Sequence, residues 1–534
     1  MNMTRLRARE IRFRRACAAL AVSILVTACA QPESTQPLFE MVTEDRITRD
    51  GGASRGVAWG DFDGDGDVDL VVANTAGQWN SLYRNILRGA QDDGRGGTSN
   101  DDAAERAPRF IKLSDPDLSP WGLVASAGGR AEGVSWIDYD GDGDLDLYIA
   151  TRGDQPNLLF RNEADTSLQR VTVGPLVDRA AGASMACWVD VDGDGWLDVF
   201  VTGYGDAPNT FFQNLGAGNF RELRNHPLHF GTGSARACAW GDPNDDGLPD
   251  LYVGNARQPN SFFWNRGEFN FDEDNTAGHL VEDVGYSYGL SWADYDEDGD
   301  QDLFVANFDK ENVVYRNNGT GVLEPVREGI LVTESGGASK GHAWGDYDLD
   351  GDVDLFVANG TYGPDMRSFI YLNQGNGTFQ RDMRGNVAVH ADTSAGAAWA
   401  DYDEDGDLDV FVASWGSRDQ VNRLYRNTTS ETTGRSWIAL RLRASGPNTR
   451  GWGAKIRASA VIDGRSRWMT RWNVPTTGYG SQNDLIVHYG LGDAAAVDSL
   501  VIRWPSGRTE IHTAVEARRV WTVTEGGGME PVSR

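Results

Sequence analysis

Seven short acidic segments contain the residues of this sequence that are best suited to bind a metal ion. Each follows the pattern Trp-x-Asp-x-Asp/Asn-x-Asp-Gly-x-x-Asp, and an apolar run comes after it. Ca²⁺ takes six to eight oxygen ligands, which carboxylates at positions 1, 3, 5 and 9 and a backbone carbonyl at position 7 can supply, while glycine at position 6 permits a sharp turn. The pattern therefore predicts about seven calcium sites, one in each segment.

The predicted ligands occupy positions 1, 3, 5, 7 and 9 of each segment, and the residue at position 7 is expected to contribute only its carbonyl. In chain order they are Asp61, Asp63, Asp65, Asp67 and Asp69; Asp138, Asp140, Asp142, Asp144 and Asp146; Asp190, Asp192, Asp194, Trp196 and Asp198; Asp242, Asn244, Asp246, Leu248 and Asp250; Asp294, Asp296, Asp298, Asp300 and Asp302; Asp346, Asp348, Asp350, Asp352 and Asp354; and Asp401, Asp403, Asp405, Asp407 and Asp409. The fourth segment has one carboxylate fewer because Asn244 stands at position 3, so we expect it to be the weakest site.

Position 12 separates these segments from the helix-loop-helix type of calcium site, which requires a bidentate glutamate there. Here that position is Val72, Ile149, Val201, Val253, Val305, Val357 and Val412. Each segment is therefore expected in a β-hairpin. One acidic turn alone would be read as a solvated hairpin, but seven copies in a fixed register with tryptophan and glycine favour calcium.

The free energy of calcium binding at seven sites is large compared with the stability of a typical domain. A ligand at one hundred times its Kd stabilises the folded state by about 2.7 kcal/mol per site. Seven such contributions exceed the usual stability of a domain, about 5–15 kcal/mol. We therefore predict that the calcium-free protein is loosened or unfolded.

The spacing of the segments predicts a repeat architecture. Their first aspartates are separated by 77, 52, 52, 52, 52 and 55 residues, and the long first interval contains a Gly/Asp/Arg-rich insertion at about 87–107. About four strand-like runs fit into each period, which is the size of a propeller blade. The seventh copy lacks its last strand, and Leu38–Val42 would supply it, so that the ring closes without an open edge. The predicted fold is all-β, with a seven-bladed β-propeller over 38–428.

Charge and composition limit the classes of partner. The chain of 534 residues has 49 Lys and Arg against 79 Asp and Glu, a formal net charge of −30. This balance argues against binding to nucleic acid or to anionic lipid, because both require cationic side chains. The partner that the acidic segments favour is a cation.

The N-terminus has the features of an export signal, with six arginines before the apolar run 16–26. The run ends in Val26-Thr27-Ala28-Cys29, which resembles a bacterial lipobox. We therefore predict a lipoprotein signal peptide over 1–28, lipidation at Cys29 and a linker over 29–37. The chain would be anchored at the outer membrane or cell surface; the alternative is an ordinary cleaved signal and a secreted or periplasmic protein.

Two further cysteines, Cys187 and Cys238, lie in nearly equivalent strands of consecutive repeats. Their registers differ by one residue, which would point them to opposite faces of their sheets. This register favours buried free thiols, and a disulfide is the alternative.

Several motifs resemble known families. The acidic loops, the preceding tryptophan and the later segment Leu-Tyr-Arg-Asn at 82–85 and 424–427 resemble FG-GAP or VCBS repeats of integrin-α-like propellers. The remainder, about 437–525 before a tail at 526–534, resembles the ASPIC/UnbV domain of the cartilage acidic protein family, through motifs at 448–454, 478–482, 488–492 and 504–507. The resemblance implies calcium-stiffened loops on one face of the ring, a partner on another surface and a small β-rich, sandwich-like C-terminal domain.

No residue set in the sequence predicts catalysis. The Gly-x-Ser-x-Gly motif of serine hydrolases occurs at 52–56, but it recurs at 337–341 without a following helix. His226 and His229 are favoured as a solvated pair over a zinc site. Arg450, Gln482 and His488 could line a pocket, although local turns are the favoured role. We expect an extracellular adhesion or scaffold protein for a protein or glycan ligand; the alternative is an exported carbohydrate-active or other hydrolytic enzyme.

Overall fold

The computed structural model describes residues 38–532, except 51, 88–108, 114–120, 127, 165–166, 179–181, 206, 232–234, 335–337, 361–366, 385–386, 388–389, 391–392 and 417–419. The predicted signal peptide, Cys29 and nearly all of the predicted insertion lie outside these residues. Within them, no helix is both long enough and apolar enough to cross a bilayer. The helices are a 3₁₀ turn at Arg46–Thr48 and four short α-helices, α1 Leu123–Ser126, α2 His279–Glu282, α3 Ile330–Thr333 and α4 Thr429–Thr433.

The first 28 strands form seven four-stranded antiparallel sheets within the described residues, as expected for a β-propeller. In chain order they are β1 (Phe39–Met41), β2 (Ser54–Gly60), β3 (Asp69–Asn74), β4 (Ser81–Ile86), β5 (Arg109–Lys112), β6 (Ala131–Ile137), β7 (Asp146–Thr151), β8 (Leu158–Asn162), β9 (Leu168–Val171), β10 (Ala183–Val189), β11 (Asp198–Gly203), β12 (Thr210–Asn214), β13 (Phe220–Glu222), β14 (Ala235–Gly241), β15 (Asp250–Pro259), β16 (Ser261–Asn265), β17 (Phe271–Glu273), β18 (Val284–Ala293), β19 (Asp302–Asn307), β20 (Val313–Asn317), β21 (Leu323–Pro325), β22 (Ser339–Gly345), β23 (Asp354–Asn359), β24 (Phe369–Asn373), β25 (Phe379–Arg381), β26 (Ser394–Ala400), β27 (Asp409–Ser414) and β28 (Arg423–Asn427). Sheets 1 to 6 take successive sets of four strands from β2 to β25, and β15 also pairs with β18, so that sheets 4 and 5 are joined. 

The N-terminal strand closes the ring. Sheet 7 consists of β26, β27, β28 and β1, with Phe39 opposite Asn427 and Met41 opposite Tyr425. The first strands of the seven sheets contact one another in order, and β26 contacts β2. Pairing the two ends of the propeller leaves no free strand edge at the seam, which is the closure that the sequence indicated.

Tryptophans in the first strands link neighbouring sheets. The indole N–H of Trp59 donates to the carbonyl of Ala398 across the seam (3.3 Å), and Trp240 donates to the carbonyl of Cys187 in the preceding sheet (3.1 Å). Their rings are buried in the apolar layers between sheets. The repeated tryptophan therefore satisfies its polar atom while it fills the core.

Cys187 and Cys238 form a disulfide between sheets 3 and 4, with their Cα atoms 6.1 Å apart. The expectation of free thiols is therefore wrong. Cys187 pairs with Phe200 and Cys238 with Val253, so the difference of one residue in register is real. Adjacent sheets of a propeller pack face to face, however, and side chains on opposite faces of equivalent strands meet in the space between the sheets.

Residues 436–531 form a second, smaller unit of two four-stranded sheets. Its strands are β29 (Ser436–Arg443), β30 (Lys455–Ile462), β31 (Arg465–Trp472), β32 (Val487–Gly492), β33 (Ala496–Arg503), β34 (Thr509–Glu516), β35 (Arg519–Thr524) and β36 (Gly528–Pro531). One sheet has the order β32-β29-β35-β36 and the other β31-β30-β33-β34. The sheets share one apolar core, which includes Ile438, Ile456, Leu500 and Val523. This is the β-rich C-terminal domain.

A loop of the C-terminal domain, residues 476–484, enters the ring of first strands; we call it the channel loop. The amide of Gln482 donates to the carbonyl of Val57 (2.9 Å), and the side chain of Gln482 bonds both the amide and the carbonyl of Trp136 (2.7 and 3.0 Å). Gly480 has φ 56°, and an added Cβ there would lie 2.7 Å from the Cα of Gly133. Glycine is therefore required for this close approach.

The disulfide yields a testable prediction. In protein purified without reductant, peptides containing Cys187 and Cys238 should be recovered joined, and reduction should lower the melting temperature, because removing a native disulfide typically costs about 2–5 kcal/mol. Mass spectrometry of a non-reduced digest and thermal denaturation with and without reductant measure both effects. Recovery of Cys187 as a freely alkylated thiol would contradict the structure. The double variant C187A/C238A is the matched control, because reductant should leave its melting temperature unchanged.

Candidate metal centres

Each acidic segment forms the turn between the first and second strands of a sheet. Position 1 follows the first strand directly or within one residue, and position 9 is the first residue of the second strand in all seven sheets. The turns therefore lie at the same end of every sheet. The hairpin context that excluded the helix-loop-helix site is present throughout.

Two hydrogen bonds recur in all seven loops. The amide of the glycine at position 6 donates to a carboxylate oxygen of position 1 at 2.9–3.1 Å. The amide of position 7 donates to the carboxylate of position 5 at 2.8–3.2 Å. The position-6 glycines have φ of 88–103°, a left-handed region that favours glycine. The loop backbone thus holds two of the predicted ligands in place.

The aspartate at position 9 is held from two sides. In the first sheet, Asp69 is fully buried and accepts hydrogen bonds from the amides of Phe62 (3.3 Å) and Asn85 (2.8 Å). The side chain of Asn85 then donates to the carbonyl of Tyr402 in sheet 7 (2.8 Å). Equivalent asparagines bridge to the preceding sheet in the other six repeats. The acidic loop is therefore tied to its own third strand and, through that strand, to its neighbour.

Carboxylates of the loops converge within reach of a single ion. Clusters with oxygens within 4.8 Å of one another include Asp61, Asp63 and Asp69; Asp138, Asp140 and Asp146; Asp190, Asp192 and Asp194; Asp294, Asp296 and Asp302; and Asp346, Asp348 and Asp354. In several loops, buried oxygens at positions 1 and 3 have no hydrogen-bond partner, namely Oδ1 of Asp61 and Asp63, of Asp294 and Asp296, and of Asp401 and Asp403. Unpartnered buried carboxylate oxygens are costly unless a cation binds them, so these residues fit a hard divalent ion.

The arginine of the Leu-Tyr-Arg-Asn segment explains why one oxygen of position 3 stays free. Arg84 contacts Oδ2 of Asp63 (2.5 Å) and Oδ2 of Asp65 (2.9 Å) and leaves Oδ1 of Asp63 unpartnered. Arg426 makes the same contacts with Asp403 and Asp405. The guanidinium covers the outer oxygens of the loop and leaves the inner oxygen of Asp63 unpartnered. The Leu-Tyr-Arg-Asn motif was evident in the sequence, but the contacts of its arginine with the acidic loop became evident only in the folded structure.

Burial opposes ionisation of these carboxyl groups. It raises the pKa of Asp146 and of Asp302 to about 9, and that of Asp63 to about 6, where the neighbouring Asp65 adds to the effect. Burial also raises the pKa of Asp69 well above its usual value. Several aspartates in one buried cluster cannot all be ionised at neutral pH without nearby positive charge.

The C-terminal domain lies directly on these loops. Side chains from it donate to the carbonyls of position-6 glycines: Arg450 to Gly143 (3.4 Å), His488 to Gly406 (3.0 Å) and Arg471 to Gly351 (3.0 Å). Arg450 and His488, which the sequence left between a pocket and local turns, therefore bind loops of the propeller.

The same domain also contacts position-1 carboxylates. The hydroxyl of Thr449 donates to Asp138 (2.5 Å), and the amide of Gly490 donates to Asp346 (2.8 Å). These oxygens belong to the predicted ligands. The conformation of the acidic loops and the position of the C-terminal domain therefore depend on each other.

The fourth loop differs from the others. Asn244 donates to Asp246 (2.9 Å), and Pro243 has no amide for position 9, so that Oδ2 of Asp250 is buried without a partner. Arg503 of the C-terminal domain lies 3.3 Å from Asp242 and 2.7 Å from Asp245. A cationic side chain thus stands beside the loop that has the fewest predicted carboxylates.

Other residues that the sequence singled out have local partners. The hydroxyls of Ser54 and Ser339 donate to Asn74 and Asn359 (2.8 and 2.9 Å) inside first-strand hairpins. His226 uses one ring nitrogen for the carbonyl of Phe269 and the other for the amide of Leu228. The hydrogen bonds of the two serines are not those of a catalytic nucleophile, and the contacts of His226 are not those of a zinc ligand.

Comparison with known proteins agrees with the repeat structure. The FG-GAP-like repeat family matches residues 138–201, 190–253, 242–305, 294–357 and 346–412, and the ASPIC and UnbV family matches 444–530. Cartilage acidic protein 1 of Xenopus tropicalis is 25% identical and is aligned over 91% of this chain and 76% of its own length; the Homo sapiens protein is 23% identical over 89% and 73%. A solved lectin from Agrocybe aegerita, described as recognising non-reducing terminal N-acetylglucosamine, aligns with 62% of this chain and 79% of its own, at 19% identity and a TM-score of 0.41.

The family matches cover six of the seven acidic loops, from Asp138 onward, and the domain that rests on them. This chain belongs to the FG-GAP-like repeat proteins and carries a C-terminal ASPIC and UnbV domain.

Proposed function

We propose that this chain is an exported calcium-binding protein that recognises a glycan or protein partner without transforming it. The observation that carries the calcium assignment is the pair of buried, unpartnered carboxylate oxygens at positions 1 and 3 of the acidic loops, such as Oδ1 of Asp294 and Asp296. Hard oxygen ligands in a flexible loop suit Ca²⁺, with its variable coordination, better than Mg²⁺, which requires a near-ideal octahedron. Bound calcium would supply the positive charge that these clusters need.

Two observations support export. The leader sequence precedes a lipobox-like segment ending at Cys29, and the Cys187–Cys238 disulfide suits an oxidising compartment. We place the protein on the outer membrane or cell surface through a lipid at Cys29, or otherwise in the periplasm or the medium.

A cavity of about 390 Å³ between the acidic-loop face and the C-terminal domain is the best candidate site for the partner. Its wall includes the partly exposed rings of Trp292, Trp344 and Trp472 beside polar groups such as Asn473. Flat aromatic rings with a few placed hydrogen-bonding groups suit a sugar, whose faces are apolar and whose edges are polar. We therefore favour a glycan as the partner. An exported carbohydrate-active enzyme is the alternative, and analysis of the bound glycan for cleavage products separates the two.

Calcium removal should loosen the protein. Chelation with EGTA should lower the melting temperature, and Ca²⁺ should restore it, because each site at one hundred times its Kd contributes about 2.7 kcal/mol. Differential scanning calorimetry together with elemental analysis of the native protein tests this expectation. An unchanged melting temperature in EGTA, or native protein without calcium, would refute the calcium assignment.

A matched pair of variants in one loop serves as the control. Asp296→Asn removes a predicted ligand and should cost one bound ion, whereas Asp300→Asn, at position 7, changes a side chain that is not predicted to be a ligand and should retain it. Loss of one ion in both variants would show that the ligand positions are assigned wrongly.

The fourth loop should bind its ion more weakly than the other loops. Replacing Arg503 with methionine removes the cation near Asp242 and should raise the calcium affinity of this loop, because like charges repel. Calorimetric titration of the calcium-free protein with Ca²⁺ measures the affinity of the weakest class of site. Arg508→Met, in the same domain but paired with Glu510, is the control and should have no effect. Weaker calcium binding by the Arg503 variant, with the Arg508 variant unchanged, would show that Arg503 supports the loop instead of competing with calcium.

The tryptophan-lined cavity is tested by Trp472→Ala. Binding to glycans on an array should fall about 5- to 30-fold, because a stacked aromatic ring contributes about 1–2 kcal/mol with its buried area. The control is Trp79→Ala, since Trp79 is 61% exposed and does not line this cavity. Undiminished glycan binding by the Trp472 variant would exclude the cavity as the site.

A further inference from the structure

Charged residues recur at one structural position around the ring. In each sheet, the first strand has a bulge directly after the residue that pairs with the end of the second strand, for example after Ser54, which pairs with Asn74. The residue at the bulge is Arg55, Glu132, Arg236, Tyr288 or Lys340 in five of the seven sheets. These positions lie at the end of the ring remote from the acidic loops. Both Gly-x-Ser-x-Gly motifs supply such a residue, Arg55 and Lys340.

The one carboxylate at these positions is fully engaged. Glu132 is completely buried and accepts a hydrogen bond from the hydroxyl of Tyr479, at the tip of the channel loop. It also forms ion pairs with Arg152 and, at 3.7 Å, with Arg55. The single negative charge of Glu132 is therefore shared between two guanidinium groups.

Lys340 is buried, and no carboxylate of the described residues forms an ion pair with it. Its exposure is 2%, and the contacts of its ammonium group within the described residues are with aromatic faces: Trp415 at 3.9 Å, Phe308 at 5.1 Å and Tyr288 at 5.7 Å. Arg55 lies over the same Trp415 ring at 4.0 Å, and its Nε is buried without a hydrogen-bond partner. The indole ring of Trp415 thus lies against both Lys340 and Arg55, but it carries no negative charge that could neutralise either of them.

The energies show that this arrangement needs an anion. Lys340, Arg55 and Arg152 against Glu132 leave a formal charge of +2, and Lys340 and Arg55 are both buried. A cation–π contact offsets only part of the cost of taking an unpaired ion out of water. Burial together with the charge of Arg55 lowers the pKa of Lys340 well below its usual value. In a protein with a net charge of −30, these residues form a local excess of positive charge.

A funnel at the same end of the ring borders the cluster at Arg152. The funnel has a volume of about 980 Å³, and its wall includes Arg152 and Tyr204. Arg152 donates to the hydroxyl of Tyr204 (2.9 Å) and pairs with Glu132, so it belongs to both the funnel and the cluster. Tyr479 of the channel loop lies behind the cluster, on the side of the C-terminal domain.

We propose that this end of the channel binds a small ligand through an oxyanion group, that is, a carboxylate, a sulfate or a phosphate ester. Guanidinium groups bind oxyanions through paired hydrogen bonds, and the ammonium of Lys340 adds a point charge. The site is separate from both the acidic loops and the tryptophan-lined cavity, and it does not depend on the function proposed for them. Its occupancy would stabilise the first strands and the tip of the channel loop together.

Full-length, calcium-loaded protein is titrated with sodium sulfate, methyl phosphate or sodium glucuronate, and binding is followed by calorimetry and by the melting temperature. Sodium chloride at matched ionic strength separates binding from screening. At least one oxyanion should raise the melting temperature beyond the effect of chloride, and comparison of the three identifies the group. A response equal to that of chloride for all three would overturn the proposal.

Lys340→Met gives the sharpest test, because stability and binding should change in opposite directions. Replacing a buried, unpaired charge with an apolar side chain should raise the melting temperature without ligand, while anion affinity falls at least tenfold. Arg152→Gln should also lower affinity at least tenfold. Arg257→Gln, an exposed arginine outside the cluster, is the control and should bind as the wild type does. Full anion binding by the Lys340 variant, or its failure to fold, would refute the proposed site.

Discussion

Concentrated negative charge in the acidic loops is the constraint on which the rest of the structure depends. Each loop brings carboxylates together in a buried space, and burial, with a smaller effect of neighbouring aspartates, raises the pKa of Asp146 to about 9. The protein meets this cost with loop amides, with arginines such as Arg84 and, as we propose, with Ca²⁺. Since the position-9 aspartates also hold the asparagine bridges between sheets, the charge balance of the loops bears directly on the integrity of the ring.

The C-terminal domain takes part in the same balance. It contributes Thr449 and Arg503 to position-1 carboxylates and rests on the glycine carbonyls of further loops. Its channel loop extends through the ring to Glu132, near the opposite end. The two domains therefore share polar contacts at both ends of the channel, and a ligand at either end would act on the same loop.

Much of this arrangement was predictable from the sequence. The hairpin loops and the closing strand at Phe39–Met41 follow from short-range patterns that recur at fixed spacing, and the β-rich C-terminal domain was predicted from the resemblance of its motifs to a known family. The free-thiol interpretation of Cys187 and Cys238 failed because register within a strand gives the direction of a side chain but not the sheet that it faces. The roles of Arg450 and His488 were also missed, because their partners lie in loops more than 80 residues away.

The sequence by itself determined the repeat, the acidic loops that we propose bind calcium and the class of fold, because these depend on residues within one hairpin. Only the tertiary structure decided which charges are balanced and which are not. Arg55 and Lys340 are 285 positions apart and lie in motifs without evident function, yet closure of the ring places both over Trp415. Convergence around a channel brings together residues from different sheets, and no local pattern in the chain records that proximity.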